Sequence, residues 1–314
     1  MKIIGTGKKL PSRSVSNDEL AAMVDTSDEW IFSRTGIKNR FVCTNENLTD
    51  LAESAARIAL EKARLSPQKI ELIICPTIAG DFSFPSLACC VAQRLGINCP
   101  AFDINAACSG FIYALEIAES LISKYKNILI VGADMMSRLI DWNDRATCVL
   151  FGDGAGACVV TQGNALKYIR NNAEPNREML FAKSHAGNNP FSREKNENGF
   201  TVMQGQDVYK FAVKAVGEEI NFALEKLNLR ADEINFFLLH QANSRIIDGI
   251  RARLKQPQEK FPMNIEKYAN TTAATIPILL DEMLDEKKIK TGDKIICVGF
   301  GAGMTTGTCV FEWE

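Results

Sequence analysis

LEKARLSPQKIELIIC, residues 60–75, aligns without a gap on LEKLNLRADEINFFLL, residues 224–239, at an offset of 164. Leu, Glu, Lys, Leu and Ile coincide at five of the positions. Each stretch reads as a helix end, a turn and a buried strand, because a polar break precedes an unbroken apolar run of strand length. A second pair follows in the same order: GDGAG at 152–156 and GFGAG at 299–303, at an offset of 147. Two matches in one order point to an internal duplication. The period is far too long for a solenoid, so the chain reads as two similar halves, residues 1–160 and 161–314.

Strand-length apolar runs and helix-period segments alternate outward from these anchors. The strands are expected at 71–77, 101–105, 127–134, 234–240 and 293–300, and the helices at 50–64, 109–123, 205–227 and 243–254. Val208, Phe211, Ala212 and Ala215 fall on one face of the third helix. Such alternation is the signature of an α/β fold. Ser16 and Glu19 have capping-box spacing for a helix over 17–24. The Asn-rich stretch 186–198 predicts a long surface loop. GDGAG has GxGxG rather than GxGxxG spacing, and a strand follows it instead of a helix. It therefore reads as a tight turn between strands, not a phosphate loop.

At 314 residues the chain has room for two domains or one double-sized unit. A composition of 46% hydrophobic and 24% charged residues is globular and excludes disorder or a collagen-like repeat. Thirty-six basic against 38 acidic side chains, a net charge of −2, argue against a general nucleic-acid coat while leaving room for a local basic patch. The ten cysteines form no CxxC pair, so neither a zinc ribbon nor a thioredoxin-type motif is expected. The opening MKIIGTGKKLPS has no signal-peptide pattern. No apolar run reaches the roughly 18 residues of a membrane span. The expectation is a cytoplasmic, reducing setting with no membrane partner.

Three residues stand out chemically. Cys108, in AFDINAACSGFIYALEIA, sits between a buried strand and an apolar helix, with small neighbours that leave space for a substrate. The positive end of a helix favours thiolate, which predicts a reactive sulfur; a buried structural cysteine is the ordinary alternative. His240 closes the strand INFFLLH, where α/β active-site side chains commonly lie, although a satisfied core histidine is equally familiar. The other histidine, His185, is given no role. Asn270, in KYANTTAATIP, taken alone reads as a helix N-cap. Arg245, Arg251, Arg253 and Lys255 share one predicted helix, which is a basic face or simply a solvated one.

Taken together, DEWIFSRTGI (28–37), DINAACSGF (103–111), FGDGAG (151–156), HQAN (240–243) and the Asn270 segment resemble the β-ketoacyl-acyl carrier protein synthase III family of thiolase-fold condensing enzymes. The resemblance covers essentially the whole chain in order. It implies two duplicated βαβαβαββ halves in a five-layered αβαβα arrangement, assembled as a homodimer. The implied reaction is a decarboxylative Claisen condensation of an acyl-coenzyme A primer with malonyl-acyl carrier protein. It passes through an acyl-Cys108 intermediate and uses no cofactor or metal. By position in the motifs, Cys108 is the nucleophile, with His240 and Asn270 as its partners. The backbone N–H groups of Cys108 and Ala302 form an oxyanion hole. Trp30, Arg34, Thr35, Arg145 and Asn243 contact coenzyme A. Phe84, Met136 and Phe151 line the acyl pocket, Phe84 reaching across the dimer. Lys210 and Arg245 dock the acidic carrier protein, with Arg251 and Arg253 on the same basic face.

Asparagine rather than histidine at 270 favours the initiating class. Ala269, Gln206 and Tyr209 depart from the family's common Gly, Asn and Phe, which bears on primer and carrier choice rather than on the three catalytic positions. The competing readings are a thiolase-fold acyltransferase of a specialised pathway with another acceptor, a non-catalytic partner subunit, and a papain-like Cys-His-Asn protease. The intact Cys108, His240 and Asn270 set weighs against the first two, and the duplicated α/β layout against the third.

Overall fold

The computed structural model describes residues 1–78, 80–184 and 199–314. His185 and the Asn-rich stretch 186–198 lie outside the described residues. The chain runs β1 (Lys2–Lys9), β2 (Arg13–Ser16), α1 (Asn17–Ala21), α2 (Asp28–Thr35), β3 (Asn39–Val42), α3 (Leu48–Lys62), β4 (Leu72–Pro76), α4 (Leu87–Leu95), β5 (Ala101–Ile104), α5 (Gly110–Leu121), β6 (Asn127–Asp134), α6 (Arg145–Cys148) and β7 (Gly154–Thr161). It continues β8 (Leu166–Asn176), β9 (Leu180–Ala182), β10 (Thr201–Met203), α7 (Gly205–Leu227), β11 (Phe236–Leu239), α8 (Ser244–Leu254), α9 (Ile265–Tyr268), α10 (Thr275–Asp285), β12 (Lys294–Gly301) and β13 (Gly303–Glu312).

Two main sheets carry the fold. The first has strand order β1-β7-β6-β4-β5 and the second β8-β13-β12-β11. β4 is parallel to β5 and β6, and β7 runs antiparallel to β6 and β1. In the second sheet β11 is likewise parallel to β12, and β13 is antiparallel to both β12 and β8. α3 and α4 cover the outside of the first sheet, α7 and α8 the outside of the second, and α5 and α10 lie between the sheets. This is the five-layered thiolase-like architecture. Strands β4, β6 and β12 are almost continuously buried because both faces of each sheet are covered.

The duplicated sequence is duplicated in backbone detail. Arg64 and Asn228 both take a left-handed conformation, φ 51°, where α3 and α7 end. In each case the following leucine N–H returns to a leucine carbonyl, Leu65 to Leu60 at 3.0 Å and Leu229 to Leu224 at 2.9 Å. That is the Schellman closure, which satisfies orphan carbonyls at a helix end. A single 3₁₀ turn follows in both copies before β4 and β11.

Among the described residues the two main sheets differ by one strand, five against four. The residues that correspond to β5 lie at α9, where the charged IEKY replaces the apolar AFDI and has no strand pattern to bury.

Two local expectations are corrected. Ser16 and Glu19 do form the capping box, but α1 stops at Ala21. GDGAG is not a turn between strands. It leaves the short helix α6 and enters β7, whose glycines let α10 pack closely. GFGAG does span the β12–β13 turn.

Candidate active site

β5 ends at Ile104, and the chain then turns through Asn105 and Ala106 into one 3₁₀ turn, Ala107–Ser109. Ala107 is left-handed, φ 47°, and its N–H is held by Asn105 Oδ1 at 3.2 Å. This turn raises Cys108 into the layer between the sheets. β12 can press against it because Gly301 has no side chain: a Cβ there would stand 2.6 Å from the Cys108 nitrogen.

The second copy builds the same turn around Asn270. Thr272 is left-handed, φ 54°, and its N–H is held by Asn270 Oδ1 at 2.8 Å. A 3₁₀ turn over Thr272–Ala274 then leads into α10, as the first leads into α5. The Asn270 backbone is fixed as well, its N–H on the Leu150 carbonyl and its own carbonyl accepting from Gly152, both at 3.0 Å. With Oδ1 occupied, the amide orientation is settled. The NH₂ group makes no hydrogen bond among the described residues and is free to act as a donor.

His240 follows β11, its N–H bound to the Val298 carbonyl at 2.9 Å. Its Nδ1 lies 2.6 Å from Thr275 Oγ1, and the Phe300 ring stands edge-on with centroids 5.0 Å apart. Burial lowers the pKa of the imidazole to about 3, so the ring is neutral at physiological pH.

Burial also pushes the Cys108 thiol up, and the nearby Asp134 carboxylate adds to the effect. The sulfur is therefore a thiol in the free protein. This shift runs against the thiolate expected from the helix terminus, with desolvation as its largest cause. Asp134 is itself buried, with its pKa raised to about 6. It accepts from Thr77 Oγ1 at 3.0 Å, from the Ile78 N–H at 2.6 Å and from Thr272 Oγ1, which ties the two copies together.

Cys108, His240 and Asn270 line one narrow cavity, with Asn243, Tyr209 and Phe300. Cys108 also lines a second, apolar cavity of about 480 Å³, with Ile78, Met136, Leu139, Phe151 and Ala302. The sulfur thus stands between a narrow channel that carries the imidazole and the amide and a wider apolar chamber. Phe84 is 87% exposed and belongs to neither cavity of its own chain.

The remaining expected site residues scatter more. Trp30 has the guanidinium carbons of Arg34 and Arg145 each 4.9 Å from its ring centroid. Arg145 already covers one face of Trp30 and is also held on the Asp25 carbonyl at 2.7 Å. Thr35 is not on that exposed surface. It is buried, donating to the Ile31 carbonyl at 2.7 Å and accepting from the Ile37 N–H at 3.0 Å, so its hydroxyl is spent within the fold. Asn243 caps α8 through the Arg245 N–H and reaches the Arg34 carbonyl at 3.0 Å.

On α8, Arg245 is exposed and forms no ion pair among the described residues, whereas Arg251 pairs with Asp248 at 3.5 Å. Arg253 is exposed and bonds the Val213 carbonyl of α7 at 3.0 Å. Lys210 is exposed and 3.6 Å from Asp207.

Sequence reading missed Asp134, Phe300 and Thr275. The signal for Asp134 was a carboxylate closing the apolar strand NILIVGAD. Among the described residues no group of three or more His, Cys, Asp or Glu side chains is placed to hold a metal, and no helix is long and apolar enough to cross a membrane.

Two family profiles match the chain: "3-Oxoacyl-[acyl-carrier-protein (ACP)] synthase III" over residues 102–172 and its C-terminal counterpart over 224–313. The chain is 42% identical over 320 residues to the beta-ketoacyl-[acyl-carrier-protein] synthase III of Clostridium acetobutylicum, covering 100% of this chain and 98% of that one. The crystal structure of 3-oxoacyl-[acyl-carrier-protein] synthase III from Aquifex aeolicus superposes with a TM-score of 0.93 at 44% identity, covering 99% of both chains. The priming beta-ketosynthase of the R1128 polyketide pathway superposes at 0.94 with 30% identity, covering 100% of this chain and 96% of that one.

Proposed function

The chain belongs to the β-ketoacyl-acyl carrier protein synthase III family, the initiating condensing enzymes of fatty acid biosynthesis, and on that premise we propose that it extends an acyl-coenzyme A primer with malonyl-acyl carrier protein through Cys108. The observation that carries this reading is the shared cavity. One thiol, one neutral imidazole and one amide with its NH₂ group unspent meet there, with an apolar chamber on the far side of the sulfur.

In the first step Cys108 sulfur attacks the primer thioester carbonyl. The acyl–sulfur bond to coenzyme A breaks as that to Cys108 forms, and the thiol proton lost by Cys108 is balanced by the one the departing coenzyme A gains. The backbone N–H groups of Cys108 and Ala302 hold the tetrahedral oxyanion. The primer's chain enters the apolar chamber, against Met136 and Phe151.

In the second step the malonyl carboxylate leaves as carbon dioxide, and its bonding pair becomes an enolate. His240 and Asn270 donate to the enolate oxygen in a site that excludes water, where such donors are most effective. Neutral donors suit the task, because their hydrogen bonds can strengthen as charge develops. The enolate carbon attacks acyl-Cys108, and collapse releases the sulfur and 3-oxoacyl-acyl carrier protein.

Further proposals concern the surroundings. Residues 1–160 act as the half that supplies Cys108, and 161–314 as the half that supplies His240 and Asn270. The protein works as a homodimer, in which exposed Phe84 closes the partner's chamber. Coenzyme A is held at Trp30, Arg34, Arg145 and Asn243. The exposed cations Arg245 and Lys210 steer the acidic carrier protein. The similarity to a polyketide priming synthase keeps a second reading in play, condensation on a dedicated carrier of a specialised pathway.

The reading is tested by incubating the purified protein with acyl-coenzyme A donors and malonyl-carrier and analysing the products by mass spectrometry. Ping-pong formation of 3-oxoacyl-carrier and carbon dioxide supports it. Transfer of the acyl group to an alcohol or amine acceptor instead would overturn it. Arg245→Glu should raise KM for malonyl-carrier several-fold and leave a malonyl-coenzyme A surrogate nearly unaffected. Equal losses with both would rule out docking there.

His240 also sets a pH dependence of stability. The unfolded ring binds a proton below about 6.5, whereas the folded ring resists it down to about 3. The unfolded state therefore gains protons first as the medium is acidified, and stability falls between those limits. Denaturant titrations of wild type and His240→Gln across that window should show a shallower decline in the variant.

A further inference from the structure

Resting on the condensation just described, we propose that Thr275 is a positioning residue: its hydroxyl donates to His240 Nδ1 and so keeps the imidazole proton on Nε2, as a donor to the enolate. A neutral imidazole has one proton for two nitrogens. If it sat on Nδ1, Nε2 would present a lone pair to the enolate oxygen and repel it. Something must therefore select between the two tautomers.

The surroundings of Thr275 make the selection. Its Oγ1 is 2.6 Å from His240 Nδ1 and reaches the Thr272 carbonyl at 3.1 Å, to which it donates if the ring proton is on Nδ1; with the proton on Nε2, Nδ1 is a second acceptor. In that second tautomer the hydroxyl has one proton and two acceptors within reach. The Thr272 carbonyl already accepts the backbone N–H of Thr275 itself, which closes the 3₁₀ turn leading into α10. His240 Nδ1 has no other partner among the described residues. The condensation needs the proton on Nε2, which leaves a lone pair on Nδ1, and two lone pairs facing each other at 2.6 Å would repel, so the hydroxyl must give its proton to Nδ1 rather than to the Thr272 carbonyl. The hydroxyl proton therefore lies toward Nδ1.

The hydroxyl is itself held firmly. Thr275 is 2% exposed and is the first residue of α10. The turn before it is anchored by the Thr272 hydroxyl on Asp134. The turn that orients the Asn270 amide is thus the turn that aims Thr275 at the imidazole. Both enolate donors are set by one short segment, Asn270–Thr275.

The direct test is nitrogen NMR of protein labelled with ¹⁵N-histidine. The chain has two histidines, so His185→Gln identifies the His240 signals. Wild type should show the neutral Nε2–H pattern. Thr275→Val, which keeps the shape and loses the hydroxyl, should shift the ring to a mixture or to Nδ1–H, and Thr275→Ser should restore the wild-type pattern. In parallel, Thr275→Val should lower kcat for condensation toward, but not beyond, the roughly 10²–10³ that losing an oxyanion donor costs. Acyl loading of Cys108 should change little, and Thr275→Ser should recover the rate. An Nδ1–H wild type, or a Thr275→Val protein that keeps both the Nε2–H pattern and full kcat, overturns the proposal. If Thr275→Val does not fold, Thr275→Ala takes its place with the same two readouts, and the same outcome overturns the proposal. A wild type with the expected tautomer that forms no 3-oxoacyl product sustains the assignment and fails the reaction reading instead.

Discussion

Cys108→Ala is expected to take up no acyl group from any acyl-coenzyme A and to lose condensation down to background, a fall of about 10⁴ or more by comparison with other enzymes stripped of their nucleophile. The sulfur stands between the channel and the chamber, and of the residues that line both, Cys108, Phe151 and Leu180, it alone is a nucleophile. Nine other cysteines are present, and most are buried among apolar side chains, which gives the measurement a strict form. Intact-protein mass spectrometry after exposure to acyl-coenzyme A should show one acyl addition in wild type and none in the variant, and peptide mapping should place it on Cys108. Equal loading of both proteins would refute the covalent route altogether.

The second large effect separates the two half-reactions. Asn270→Ala and His240→Ala should each reduce decarboxylative condensation by about 10²–10³ while leaving Cys108 able to accept an acyl group at a rate within roughly tenfold of wild type. Asn270 carries the cleaner test, because its Oδ1 is committed to the Thr272 N–H. Asn270→Asp keeps that acceptor but replaces the donor NH₂ with an oxygen, so it should be at least as damaging as alanine. The measurement is carbon dioxide release from malonyl-carrier on pre-acylated enzyme, alongside the loading stoichiometry. A variant that loads slowly but decarboxylates at the wild-type rate would move these residues out of the second step.

Much of the scaffold could be read from local pattern. The helix over 205–227 and the strand over 127–134 have the bounds that the sequence predicts, because apolar periodicity and a left-handed Asn228 mark their ends without help from distant residues. The duplication was legible for the same reason, since a helix end, turn and strand are local events. The three central side chains were legible as a set only through the family motifs that contain them, Asn270 alone reading as an N-cap, and the fold brings them to one cavity.

What escaped the sequence depended on distant contacts. The thiol state of Cys108 is set by burial between two sheets, which no local pattern reports. Arg253 stands on the exposed charged helix, but its bond to the Val213 carbonyl of α7 could not be read from local pattern. Thr35 lies in the same motif as Trp30 and Arg34, yet its side chain points into the fold. GDGAG read as a turn because glycine is common in turns, whereas these glycines serve the close approach of α10. Thr275 resembled any helix-start threonine until the partner ring across the interior was located.

The matched turns at Asn105 and Asn270 have an evolutionary corollary. Both asparagines tether the N–H two residues on, and the third residue on is Cys108 in one copy and Ala273 in the other. An ancestor that doubled its gene needed no new loop to acquire a second active-site element. One descendant turn kept or gained a sulfur, and its twin specialised in offering an amide. Division of labour between twins would explain how a repeated scaffold became an asymmetric catalyst while both turns kept their asparagine tether.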